Sequence, residues 1–338
     1  MPPISPLRYP GGKTKFANLV RRAMSSCTSP PVTFAEPFCG GAGVALTLLG
    51  SGDVQRIGLN DLDPLVAAFW KVIFGKTGKS AGACKADLEW LLAQVMTVQV
   101  TVDEWKAQKR LTPASVRAAA FKCLFLNRTS FNGILHQAGP IGGWGQISRK
   151  LDVRFNRDDL CRRILALWEM RDRVEAVDCE PWEKFISRYT RCKDSFVYLD
   201  PPYYHRAEQL YWHLFDDAMH RLLRNRLVRI GMVPWLLSYD DSVEVRDLYR
   251  AQPGVHGLVV DKTYSTHPLG GARFIGRELF FSNRPLDVAV RNGEADHSAV
   301  SVVGTLANVA VPSQGPSRLP IQGDLRERRD RTAQVLMV

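Results

Sequence analysis

The sequence predicts an α/β fold: a doubly wound, mostly parallel sheet interrupted by a mainly helical insertion. Three observations predict it. Short apolar runs alternate with amphipathic helical patterns near the N-terminus. That rhythm stops between about Gly75 and Trp168 and resumes at Val174. The apolar runs also end on acidic or polar residues, where open α/β sheets gather ligands.

The elements follow in order. Pro10-Gly11-Gly12 reads as a turn and Lys13–Met24 as a helix. Val32–Glu36 is a short strand running into the turn Cys39-Gly40-Gly41-Ala42-Gly43, then the helical Val44–Leu49. Arg56–Asn60 reads as a second strand, ending at Asp61. A helix with Leu65, Val66, Phe69 and Val72 on one face follows. The insertion shows helical pattern at Leu88–Val95 and Ser115–Leu126, then a loop at Gly139–Gly145 that contains Pro140 and Trp144. Strands resume at Val174–Val177 and Ser195–Leu199, the latter ending at Asp200. Trp235–Ser238 and Glu278–Ser282 are further strands. The expected domains are 1–75 with 170–285 as a discontinuous catalytic unit, 76–169 as the insertion, and 286–338 as a poorly ordered tail rich in small and charged residues.

Composition narrows the function. The 338 residues are 45% hydrophobic and can bury a substantial core, while a net charge of +11 suits a polyanionic partner. Seven scattered cysteines without CxxC spacing argue against zinc or a disulfide framework and read as reduced core thiols. No apolar run is long enough for a signal peptide or a membrane span, so a cytoplasmic location with no membrane partner is expected.

The sharpest chemical signal is Asp200-Pro201-Pro202-Tyr203 at the end of a buried strand. Two prolines make a stiff turn with no N–H to donate. A carboxylate and a proline carbonyl then offer two acceptors to the two hydrogens of an exocyclic amino group, and Tyr203 offers a face for stacking a base. Such an amino group is a poor nucleophile, because its lone pair is delocalised. Accepting its hydrogens and aligning it with a sulfonium methyl supply the catalysis. The bland reading of the same tetrapeptide is a surface turn. The second signal is Glu36–Gly43, whose glycines allow a nucleoside close to the backbone, with Asp61 positioned to take ribose hydroxyls. The third is Tyr9–Lys13. It is not a phosphate loop, since Leu7 stands where the pattern needs glycine; Lys13 is a candidate for the cofactor's methionyl carboxylate.

Together these residues resemble the Dam-type DNA adenine (N6) methyltransferases, the alpha group of S-adenosylmethionine-dependent amino methyltransferases. Tyr9–Lys13, Glu36–Gly43, Asn60-Asp61 and Asp200–Tyr203 stand in the family's order, and Phe125–Gly133 resembles the signature of its target-recognition domain. The resemblance implies a Rossmann-like methyltransferase sheet with an inserted target-recognition domain. It implies a flipped-out adenine in double-stranded DNA, with Asp200, Pro201, Pro202 and Tyr203 catalytic. Tyr9, Lys13, Glu36, Phe38, Gly40, Asp61, Asp178 and Asp200 would bind S-adenosyl-L-methionine. Asn127, Arg128, Phe131, Asn132 and His136 would meet DNA, with Phe131 as the wedge. Arg149, Lys150 and Arg154 are further candidates for phosphate. His136 departs from the basic residue usual at its position, and Ala138–Gly145 replaces a characteristic stretch.

A cognate restriction endonuclease is a candidate partner, and a monomer or weak dimer, encoded by a bacterium or phage, is expected. No metal is implied. His205 reads as a loop residue near the site. An N4-cytosine DNA or RNA amino methyltransferase is the alternative within the same chemistry. A catalytically inactive DNA-binding regulatory protein is the alternative of another class. Cytosine-ring methylation is out, because no cysteine follows a proline.

Overall fold

The computed structural model describes residues 5–9, 12–147, 149–204, 215–263, 275–286 and 300–306. Pro10, Gly11, His205 and most of the C-terminal tail lie outside them.

The chain opens with a 3-10 turn at Lys13–Phe16 that continues into helix α1 (Ala17–Ser25). Strand β1 (Thr33–Glu36), helix α2 (Gly43–Ser51), strand β2 (Arg56–Asn60) and helix α3 (Pro64–Ile73) follow. Asp63 caps α3 with its side chain and Pro64 opens it, a standard helix start. Four helices then interrupt the sheet: α4 (Ala81–Thr97), α5 (Val102–Arg110), α6 (Val116–Thr129) and α7 (Arg157–Trp168). Strand β3 (Val174–Asp178), helix α8 (Trp182–Tyr189) and strand β4 (Ser195–Leu199) resume it. Helix α9 (Asp217–Val228), strand β5 (Trp235–Asp240), helix α10 (Val243–Tyr249), and strands β6 (His256–Thr263), β7 (Ile275–Ser282) and β8 (Val300–Thr305) complete it.

The eight strands form one sheet in the order β3-β2-β1-β4-β5-β7-β6-β8. The first five are parallel, and β7 runs antiparallel to β5. Strand order reverses between β1 and β4, which places the switch-point crevice at their carboxyl ends. Successive strand residues serve opposite faces, as the pleat requires. Phe34, Phe196, Tyr198, Leu236 and Phe280 join one core with α1–α3 and the inserted helices. Ala35, Val197, Leu199, Trp235, Leu237, Leu279 and Phe281 join the other with α8–α10. This is the α/β architecture expected. The inserted helices pack on α3 and share its apolar cluster.

Three expectations need correction. Val300–Thr305, in the stretch expected to lack packed structure, is an edge strand paired with β6; its alternating Val300 and Val302 are a weak strand signal among polar neighbours. Strand β6 was also missed, since Gly257 and charged Asp261 and Lys262 dilute its apolar run. The cysteines are all free, but Cys179 and Cys192 are exposed and are not core thiols. Among the described residues no helix is long and apolar enough to cross a membrane, and no group of three His, Cys, Asp or Glu could hold a metal ion.

Candidate active site

A cavity of about 310 Å³ opens at the carboxyl ends of β1, β2 and β4, walled by the segment around Tyr9, the β1–α2 turn, Asp61 and the Asp200 turn. Sequence reasoning placed its residues here, and Tyr9, Lys13, Glu36, Phe38, Gly40, Asp61, Asp200, Pro202 and Tyr203 all line it. Pro201 is buried just behind.

The glycines of the turn line the cavity and also make room for the N-terminal segment. A Cβ on Gly40, whose φ is +45°, would lie 2.7 Å from the Tyr9 ring, and one on Gly43 would lie 2.2 Å from Thr14 Oγ1. Their missing side chains admit the N-terminal segment and bring Tyr9 and Lys13 to the cavity. The turn is held at both sides: Trp70 Nε1 donates to Gly40 O at 2.8 Å, and Gly40 N donates to Asp61 Oδ2 at 2.8 Å. Asp61 Oδ1 accepts from Asp63 N at 2.9 Å. Burial, with Asp63 nearby, pushes the Asp61 carboxyl up to about 7. Burial likewise pushes Glu36 up to about 8, although Ala45 N donates to it at 3.1 Å.

Asp200 is anchored through one oxygen. Oδ1 lies 3.0 Å from Lys13 Nζ and accepts from Ser238 Oγ at 2.9 Å. Oδ2 takes no hydrogen bond from any described residue. Lys13 is buried and also meets Glu278 Oε2 at 2.9 Å and Tyr203 OH at 2.5 Å, so each of its three hydrogens has an acceptor. Tyr203 OH in turn donates to Glu278 Oε1 at 2.9 Å. Burial alone would lower the ammonium, but Asp200 and Glu278 reverse this and hold Lys13 well above the usual lysine value. Burial raises Asp200, Lys13 pulls it down and Glu278 pushes it up.

Glu278 and Ser238 were missed. The sequence did carry a hint: Glu278 is a charged residue at the head of the apolar run Leu279-Phe280-Phe281. Antiparallel pairing sets it opposite Asp240 of β5, beside the strand ends that form the site. Trp182 and Glu180 were missed as well. Both line the cavity, and the Trp182 indole nitrogen is buried without a partner among the described residues. Asp178 is not on the cavity wall. Its carboxylate is paired with Arg188 at 2.6 Å.

The residues expected at DNA divide into two groups. Asn127 is fully buried: its Oδ1 accepts from Arg8 N at 2.7 Å, and its Nδ2 donates to Arg8 O at 2.7 Å and Gly133 O at 2.9 Å. Arg128 is buried too and donates from Nε to Pro6 O at 2.6 Å. Burial, with Arg163 and Arg8 close by, lowers its pKa to about 10. These two side chains are turned inward. They clasp residues 6–8, which deliver Tyr9 and Lys13 to the cavity. His136 is engaged too, with Nε2 at 2.6 Å from Asp63 Oδ2. Phe131 is 56% exposed and Asn132 is exposed with φ +54°. Arg149, Lys150 and Arg154 are exposed as well.

No curated protein matches the chain in sequence. Among solved structures, the rRNA methyltransferase aviRa from Streptomyces viridochromogenes aligns with 82% of this chain and 86% of its own. At 14% identity and a TM-score of 0.33, that likeness is too distant to carry weight. A family model, by contrast, matches residues 9–266, from Tyr9 through the inserted helices to the strands beyond Asp200. The protein belongs to the D12 class of N6 adenine-specific DNA methyltransferases.

Proposed function

We propose that this chain methylates the N6 amino group of an adenine flipped out of double-stranded DNA, with S-adenosylmethionine as the methyl donor and Asp200 as the residue that receives the amino group. The observation that carries the reading is the half-engaged Asp200 carboxylate: Oδ1 is fixed by Lys13 and Ser238, and Oδ2 has an open acceptor beside the cavity.

The cavity fits the cofactor. Asp61 retains acceptor capacity beyond its two backbone bonds and suits ribose hydroxyls. The indole N–H of Trp182, without a partner among the described residues, is a donor that a nucleobase nitrogen would satisfy. Phe38, packed on Trp182 and Phe215, supplies an apolar wall. Lys13 stands on the same wall but, contrary to the role expected of it, its three hydrogens are committed to Asp200, Glu278 and Tyr203 and leave none for the cofactor's carboxylate. When bound, S-adenosylmethionine supplies an electrophilic methyl on sulfonium sulfur.

The chain's own residues do the rest. Asp200 Oδ2 and the Pro201 carbonyl accept the two N6 hydrogens and turn the nitrogen lone pair towards the incoming methyl. Tyr203 stacks the base. With that methyl in line, the N–C bond would form as the bond from methyl to sulfur breaks, the electron pair staying on sulfur. The surplus proton then leaves from N6, first to Asp200 and then to solvent. A base stacked in a duplex cannot reach the sheet edge, so the adenine leaves the helix at a cost of a few kcal/mol. Phe131, exposed at the tip of the insertion, is the proposed wedge, and Arg149, Lys150 and Arg154 are the proposed phosphate contacts. The inserted helices are accordingly the proposed target-recognition unit.

The experiment is methyl transfer to duplex DNA by Asp200→Ala and Asp200→Asn. Both variants should bind S-adenosylhomocysteine and lose transfer. Retained activity in either would remove Asp200 from the chemistry.

A further inference from the structure

We infer that His136 is a positioning residue for the cofactor-binding carboxylate Asp61, acting through Asp63, and not a reader of bases. The inference rests on the reading of Asp61 as the cofactor's acid.

Two hydrogen bonds connect them, with Asp63 between, and two more hold the carboxylates in place. His136 Nε2 lies 2.6 Å from Asp63 Oδ2; an ionised carboxylate only accepts, so the ring nitrogen donates. Asp63 Oδ1 accepts from Leu65 N at 2.9 Å and so caps α3. Asp63 N donates to Asp61 Oδ1 at 2.9 Å, while Gly40 N donates to Asp61 Oδ2. One residue thus receives the imidazole, starts the helix and fixes one oxygen of Asp61. With Asp63 itself 8% exposed, losing the imidazole would leave a largely buried carboxylate oxygen short of a donor. Asp63 would turn to find one, and its backbone N–H would move off Asp61.

His136 is also tethered in a way that does not suit reading a groove. Lys109 Nζ donates to the carbonyls of Leu135 and His136 at 2.7 and 2.8 Å, which fixes the backbone on α5. The imidazole is then held against the start of α3, on the sheet side of the insertion. Phe131 and Asn132, by contrast, project from the same loop into solvent. The loop therefore has an outward end free for a duplex and an inward end bound to the cofactor acid. His136 is the inward end.

The test compares His136→Leu with His136→Gln, because a glutamine amide nitrogen can stand where Nε2 does. S-adenosylhomocysteine binding is measured by calorimetry without DNA; kcat, the cofactor KM and the set of adenines methylated are measured with DNA. We expect His136→Leu to weaken cofactor binding roughly tenfold and raise its KM in step. Saturating kcat and the methylated sequences should stay as in the parent, and His136→Gln should recover most of the loss. The inference is overturned if cofactor binding is unchanged and sequence preference shifts, because His136 would then read bases. It is equally overturned if Gln fails as badly as Leu, because the ring's bulk and not its donor would matter. If the parent itself fails to bind S-adenosylhomocysteine, the reading of the cavity falls, and this inference falls with it.

Discussion

Replacing Lys13 by methionine keeps the length of the side chain and removes its charge, and the effect should appear as a shift in the pH dependence of methyl transfer. Asp200 accepts an amino hydrogen most strongly when ionised, and only the ionised form can take up the surplus proton, so the rate falls as pH drops through its pKa. Burial raises that pKa and Lys13 pulls it down. At the 3.0 Å separation and an effective dielectric near 20, the pair interacts by about 5 kcal/mol. Relaxation and entering water will cancel much of this. If a quarter survives, the pKa rises by about one unit, at about 1.4 kcal/mol per unit. Glu278→Gln is the matched control of opposite sign, since Glu278 pushes Asp200 up and its removal should lower the acid limb. The assay is kcat at saturating cofactor and duplex, followed from about pH 5 to 9. Acid limbs that coincide, or that move the same way in both variants, would refute the assignment of Asp200 and its partners.

Other expectations follow from the same geometry. Glu36, raised to about 8, keeps a proton in the folded state that the unfolded chain releases near the ordinary glutamate value. Folded stability therefore falls as pH rises through that window, and Glu36→Gln should raise the melting temperature above about pH 8 and leave it unchanged near pH 4; a lower melting temperature at pH 9 would contradict this. In Gly133→Ala, the new Cβ would lie 2.5 Å from Arg8 O at a φ of +78°. Melting and limited proteolysis should show residues 5–9 unseated and stability reduced by more than about 1 kcal/mol; an unchanged melt with full activity would dismiss the clasp. Phe131→Ala should leave the melt unchanged and lower kcat/KM on paired duplex, with much of the loss recovered when the target adenine is mismatched, because less pairing is then broken. An equal loss on both substrates would remove Phe131 from flipping.

Much of this was legible in the sequence because the signals are local. Strand, turn and acidic residue lie within a few positions of one another at Glu36–Gly43, Asn60-Asp61 and Leu199–Tyr203, so the sheet and most of the cavity wall could be read directly. What was not legible depends on partners far away in the chain. Asn127 and Arg128 look like polar residues at the end of a helix, free to meet a phosphate. Only the fold brings Pro6 and Arg8 beneath them, about 120 positions away, and turns them inward. Glu278 reaches Lys13 across 265 positions through an antiparallel pairing that no periodicity announces. His136 occupied a position usually basic in the family and was read as a DNA contact, whereas Asp63 claims it. Asp178 and Glu180 are two residues apart on the chain. Both carboxylates pair with Arg188, and only the path of the chain beyond β3 sets Glu180, not Asp178, on the cavity wall.

The most direct test is transfer of labelled methyl from S-adenosylmethionine to unmethylated genomic DNA, followed by nucleoside analysis of the product. The label should appear as N6-methyladenine and be lost in Asp200→Ala. Label in N4-methylcytosine, or no label on DNA by a protein that still binds S-adenosylhomocysteine, would contradict it.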